Sequence, residues 1–313
     1  MIKYVILFGG TLIKLGPNSN TTINVLDIRE ESIEEEQGYL AAKISKLKGF
    51  FSLIFGNLDE EKTGIVEEKL IETYKRKGIT FEDNSLYKYS EQKINIKPIF
   101  KESKDMPILE DFYNVIIEDP KSEFMKYKLY PFIEGSLSFL NNYTNVELDN
   151  KLIVADIYEL GEENIQYGMY IFIDLFWDKV KKDRDEKKSI YLDEIWRLIG
   201  VTSNEFVASF IYKIFKTIRK YGGSAVAITQ DVSDLFSLED GTYGKSILNN
   251  SSIKNFFSLE EENIKVLAKY ANLSEKEMIE IKSLKIGESL MFVGDDHILA
   301  KVEVSENEKE LII

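Results

Sequence analysis

The chain has 313 residues and is 44% hydrophobic, enough for one large domain or a core with an insertion and too apolar for wholesale disorder. A formal net charge of −14 excludes nonspecific nucleic-acid binding by the whole surface, though not a local basic patch; Lys181-Lys182 and Lys187-Lys188 read as solvated faces. There is no cysteine and one histidine, His297, so disulfides and thiolate metal sites are excluded, and a Ser-His-Asp or histidine-metal site has little to build on.

From the start, Ile2 to Leu15 is apolar with a Gly9-Gly10 break, and Gly16 to Asn20 is a loop signal. Ile23 to Ile28 reads as a short strand or extended segment. A helical pattern runs from about Glu34 to Lys77 in two pieces split near residues 57–63, with Leu40, Ile44, Leu47, Phe51 and Ile54 on one face of the first. Residues 79–108 are polar and irregular, Leu109 to Ile117 is a short helix, and 120–150 read as short helices and loops.

The character changes at Lys151. Leu152-Ile153-Val154-Ala155 before Asp156 has the unbroken apolar run of a buried parallel strand. A helix follows, with Ile165, Ile171, Phe172, Leu175, Phe176 and Val180 at helical spacing, then a second buried strand, Ser189 to Leu192. Thr202 and Glu205 form a capping-box pattern ahead of a core stripe of Phe206, Val207, Phe210, Ile211, Ile214 and Ile218. Gly222-Gly223 suits a C-cap, and Ala225 to Ile228 is the third buried strand. This alternation predicts a doubly wound, mostly parallel sheet. Residues 259–284 read as two short helices. Two strands, Ser289 to Val293 and Ile298 to Val304, then form a hairpin around Gly294-Asp295-Asp296-His297. No apolar run reaches bilayer length and no signal peptide is evident, so the expectation is a soluble, cytoplasmic protein that reaches a membrane only through partners.

Chemistry concentrates at two strand ends. Asp193-Glu194 closes the second strand, at the edge where open α/β sheets bind ligands. One carboxylate there can hold Mg²⁺ and the next can deprotonate an attacking water; the same pair could simply end a strand or open a helix. Thr229-Gln230 leaves the third strand at the same edge, where Gln230 can sense a γ-phosphate or stand as a solvated loop residue. Arg219 closes the preceding helix, where it suits the dipole or reaches phosphates of a neighbouring subunit. A phosphate loop needs Gly-x-x-x-x-Gly-Lys-Ser/Thr, and no segment matches. Gly244-Lys245-Ser246 has Glu239 where the first glycine belongs, and reads as an ordinary loop.

Taken in order, Gly9 to Leu15, Thr22 to Ile28, Thr144-Asn145-Val146 with Leu152 to Ile157, Tyr191 to Trp196, Arg219 to Gly223, Thr229 to Leu235 and Asn249 to Ser251 resemble the type IV secretion and conjugal transfer ATPases of the VirB/TraC/TrbE kind. The resemblance implies an α/β, RecA-like P-loop NTPase core with a mostly parallel sheet, an all-α insertion and a C-terminal β-hairpin. Residues 1–28 would begin the core, 29–150 form the insertion, and 151–313 complete the core. It implies Asp193 as the Mg²⁺ carboxylate, Glu194 as general base, Gln230 as γ-phosphate sensor and Arg219 as a subunit-bridging arginine. It implies ATP and Mg²⁺ as ligands of the complete protein, a homohexamer, channel and coupling proteins as partners, and DNA only indirectly. It also implies a core truncated at its N-terminus, without its phosphate loop, whose unaided hydrolysis is doubtful. The alternatives are a non-catalytic docking subunit of the secretion machine and a DNA-pumping coupling protein of the same superfamily.

Overall fold

The computed structural model describes residues 5, 7–30, 38–88, 98–146, 148–200, 205–306 and 308–309. The chain divides into two compact units, residues 1–187 and 188–313.

The first unit runs β1 (Thr11–Lys14), α1 (Tyr39–Phe55), α2 (Glu60–Arg76), β2 (Tyr87–Lys88), β3 (Ile99–Phe100), α3 (Leu109–Ile117), α4 (Glu123–Ile133), β4 (Ile153–Asp156) and α5 (Ile165–Lys182). β1 and β4 pair in parallel, from Thr11 with Ile153 to Lys14 with Asp156, so the helices between them leave and return to one strand pair. The helix ends follow local chemistry. Asp59 caps α2 by accepting the Lys62 N–H at 2.8 Å, with Glu60 and Glu61 in the first turn and Lys75 and Arg76 in the last, each sign suited to the helix dipole. Leu40, Ile44, Leu47 and Phe51 on α1 are buried as their spacing predicts.

Three expectations are corrected in this unit. Residues 23–28 form no strand. The Asn24 side chain accepts the Leu26 N–H at 2.9 Å, turning the backbone, and all six residues are buried. β4 is half-buried along its length, and Leu152 before it is exposed, unlike a strand covered on both faces. Lys181 is not solvated. Its side chain is 3% exposed, pairs with Asp178 at 3.1 Å and lies over the Trp177 ring.

Lys181 belongs to a buried ionic cluster. Asp174 and Asp178, one turn apart on α5, meet Lys43 and Lys46 of α1 and Arg29. Lys43 reaches Asp174 at 3.0 Å, Lys46 reaches Asp174 at 2.6 Å and Asp178 at 2.7 Å, and Arg29 reaches Asp178 at 2.9 Å. Burial pushes the Asp174 carboxyl up, but Lys43 and then Lys46 outweigh it and lower it to about 2. Asp178 is held well below the usual carboxylate range: burial again opposes, and Lys46, Lys181 and Arg29 prevail. A second polar hub joins distant segments. Buried Asp27 accepts from Asn24 Nδ2 and Ser103 Oγ at 2.8 Å and from Thr144 Oγ1, while Thr22 N–H donates to Asn145 Oδ1 at 2.8 Å.

The second unit runs β5 (Lys188–Leu192), α6 (Trp196–Ile199), α7 (Glu205–Thr217), β6 (Gly223–Ala227), α8 (Val232–Leu235), α9 (Thr242–Asn250), β7 (Ile253–Phe256), α10 (Glu261–Ala271), α11 (Glu275–Ser283), β8 (Glu288–Val293) and β9 (Asp296–Lys301). β5 and β6 pair in parallel, and β7-β8-β9 form an antiparallel sheet. Phe256, Ile264, Leu267, Ile281, Leu290 and Phe292 pack at the centre of that sheet and its helices. Ser274 and Glu277 make the capping box of α11.

Here too the sequence expectation needs correction. Thr202, the capping-box residue ahead of α7, lies outside the described residues. Val207, Ile211, Ile214 and Ile218 are buried as expected, but Phe206 is 43% exposed. β6 has Gly223 buried, Ser224 exposed and Ala225 to Ala227 half-buried, and β5 alternates, with Ile190 and Leu192 buried and Tyr191 exposed. Gly222 adopts the left-handed conformation of a C-cap at φ 69°. Gly244-Lys245-Ser246 is helical, within α9, not a loop. A side chain at 244 would collide with the Leu235 carbonyl, so close packing explains this glycine. The hairpin turn is shorter than predicted, and His297 lies inside β9. Its ring stacks on Phe292 at 3.5 Å between centroids and bonds Glu277.

Candidate functional site

The two strand ends singled out by the sequence meet. β5 and β6 are in register from Lys188 with Gly223 to Leu192 with Ala227. The pairing continues past both, with Ile228 N–H donating to Leu192 O at 2.9 Å and Ile195 N–H to Ile228 O at 3.2 Å. Asp193-Glu194 and Thr229-Gln230 therefore leave the pair side by side, at its carboxyl edge.

Glu194 is the centre of the cluster. Its backbone takes the left-handed conformation, φ 52°, uncommon for a residue with a side chain. Gln230 Nε2 donates to Glu194 Oε1 at 2.5 Å, and Trp196 Nε1 donates to Glu194 Oε2 at 2.6 Å. An ionised carboxylate only accepts, so the amide nitrogen of Gln230 must be the atom facing it. Asp193 is exposed and bonds neither Gln230 nor Trp196; its Oδ1 accepts the N–H of Glu194 at 3.1 Å. The next residues are braced. Thr229 Oγ1 donates to Asp231 O at 3.0 Å, and Asp231 caps α8 through the Asp234 N–H at 2.9 Å. Burial, then the Asp231 charge, raises the Asp234 carboxyl.

Arg219 is not part of this cluster. It is exposed in the 3-10 turn Ile218–Tyr221, before the first residue of β6, whereas Gln230 follows the last. A five-residue strand spans about 17 Å, so the two lie at opposite ends of β6. Sequence reasoning missed Trp196. Its only signal was adjacency to Asp193-Glu194, and the turn at Glu194 that brings the indole onto the carboxylate is invisible in composition.

The donor set suits a magnesium nucleotide on one side only. Mg²⁺ keeps several waters and needs one or two carboxylates beside the substrate's phosphates, and exposed Asp193 can provide one. Among the described residues no group of three acidic, histidine or cysteine side chains forms a closed metal cage. No stretch of the sequence has the glycine-lysine pattern of a phosphate cradle.

This α/β fold, with parallel strand ends converging on polar side chains, is that of a P-loop NTPase. The chain belongs to the TraG P-loop domain family, which it matches over residues 46–291, a stretch that holds Asp193, Glu194, Arg219 and Gln230. It is similar to VirB4 of Thermoanaerobacter pseudethanolicus, with a TM-score of 0.85 and 27% identity over 98% of this chain and 80% of that one. It shares the fold of the bacterial conjugative coupling protein TrwB, seen with sulphate, at a TM-score of 0.52 and 10% identity over 96% of this chain and 79% of that one. It is also 26% identical to Protein TraC of Escherichia coli K12 over 144 residues, 44% of this chain, and the match spans 16% of TraC. The family match and the likeness to VirB4, with the partial match to TraC, support a protein of the type IV secretion and conjugal transfer ATPase kind. No helix among the described residues is long and apolar enough to cross a membrane.

Proposed function

We propose that this chain works in a conjugation or type IV secretion motor, where it supplies the water-activating and metal-holding side of an ATP-hydrolysing site. The observation that carries this reading is the contact of Gln230 Nε2 with Glu194 Oε1 at the carboxyl edge of a parallel strand pair. Asp193 would hold Mg²⁺, directly or through water, and the ion would neutralise charge on the nucleotide's phosphates. Glu194 accepts a proton from the attacking water as the water oxygen bonds to the γ-phosphorus. The bond from that phosphorus to its bridging oxygen breaks, releasing ADP and phosphate. Gln230 donates to the γ-phosphate or to the water, and its present contact with Glu194 links nucleotide state to the base. Arg219, at the far end of β6, acts on a neighbouring subunit's nucleotide if it acts on one at all. The likeness to VirB4 favours the secretion motor over the DNA-pumping coupling protein, whose resemblance rests on fold alone.

In the protein as its cell makes it, Glu194→Gln lowers ATP turnover by roughly 10²-fold or more while nucleotide affinity changes little. Wild-type turnover by that variant removes Glu194 from the role. The absence of a glycine-lysine phosphate motif in the sequence favours one other reading, a docking subunit without catalysis. Calorimetry on the isolated chain separates the two, since tight ATP binding contradicts the docking reading.

A further inference from the structure

Both oxygens of the Glu194 carboxylate are engaged, by two donors of different character. Gln230 is exposed, and its amide can donate or accept. Trp196 is half-buried, and its indole N–H can only donate and does not titrate. It neither competes for a proton nor follows the nucleotide. It is also held in place. Trp196 opens α6 between fully buried Ile195 and Leu198, and the Arg197 guanidinium stacks 4.8 Å from its ring centroid. The left-handed backbone at Glu194 aims the side chain at the indole, and such a conformation persists only where its surroundings over-determine it.

We infer that Trp196 is a positioning residue: its indole N–H fixes one oxygen of the Glu194 carboxylate and leaves the other free to take the water's proton when Gln230 turns to the nucleotide. The inference rests on the reading of Glu194 as base. It separates two roles that the hydrogen-bond pattern would otherwise merge. Gln230 is the partner that changes, and Trp196 is the partner that stays. A carboxylate without the second donor samples several rotamers, and a base that is misplaced part of the time lowers turnover without weakening binding.

The chain has two tryptophans, Trp177 and Trp196, so the ¹⁵N-indole spectrum has two side-chain peaks, and Trp196→Phe assigns them. In the wild type the Trp196 indole proton exchanges slowly with solvent; in Glu194→Ala its peak moves upfield and exchange quickens. An unmoved peak overturns the inference. Steady-state hydrolysis by the protein as its cell makes it supplies the second readout. Trp196→Phe, and benzothienylalanine at position 196, which keeps the ring shape but lacks the N–H, each lower kcat by about tenfold with KM held. Full turnover with benzothienylalanine removes the positioning role alone, because packing then suffices. No turnover in the wild type, or full turnover by Glu194→Gln, removes the base and the positioning role together.

Discussion

Asp174 and Asp178 show what a buried charge costs and what keeps it. Neither could be ionised in a protein interior without Lys43, Lys46, Lys181 and Arg29 around it. Removing one partner strands the others, so Asp178→Ala destabilises the protein by about 3–5 kcal/mol, measured by urea denaturation at neutral pH. The acid limb follows from linkage. The folded state holds Asp174 at about 2, below the unfolded value near 3.9. Its contribution is therefore complete above about pH 4 and fades as pH falls toward 2. Melting temperatures taken from pH 5 to pH 2 fall less steeply in Asp174→Asn than in the wild type, although that variant starts lower. A parallel slope would show that other carboxylates govern acid unfolding. None of this was legible in the sequence, which makes Lys181 look like half of an exposed pair. Lys43 and Asp174 are 131 residues apart, and the pairing exists only once α1 lies against α5.

At the scale of the element, more was legible: periodicity gave the two helical pieces split near residues 57–63 and the two short helices over 259–284. Their caps, Asp59 before Glu60-Glu61 and Ser274 with Glu277, were found only in the structure. Asp59→Ala removes the acceptor of the Lys62 N–H and lowers stability by about 1 kcal/mol; Asp59→Asn retains an acceptor and loses less. A loss smaller than about 0.3 kcal/mol would show that the first turn of α2 is held by packing instead. β4, β5, β6, β8 and β9 were readable as strands, whereas β1, β2, β3 and β7 were missed, residues 23–28 form none, and strand burial was not readable. An apolar run says that both faces tolerate burial, whereas what covers each face depends on elements distant in sequence. The candidate site divides along the same line. Asp193, Glu194 and Gln230 were readable as strand ends. Trp196 was not, since its role depends on a single φ angle.

At the scale of the whole molecule, the boundary between the compact units falls at Lys187 and Lys188, after an exposed polar run, Lys182 to Lys187. Limited trypsin digestion should cut first after Arg184 or Lys187, giving two fragments near the lengths of the units. First cleavage within α1 or α5 would mean that the helical unit opens before the junction does. The charged run there reads as a solvated face and does not by itself mark a junction. The sequence instead suggested a boundary near Lys151, where helical patterning gives way to strand patterning. β1 and β4 show why that boundary differs from the compact one: they pair with each other across the helical stretch and hold both its ends within one unit.

The twist at Glu194 sets durability against chemistry within one amino acid. A glycine would occupy that backbone region at ease, yet it would discard the carboxylate. Glu194→Gly should therefore outlast Glu194→Ala on heating, by roughly 1 kcal/mol, though both are equally inert toward ATP.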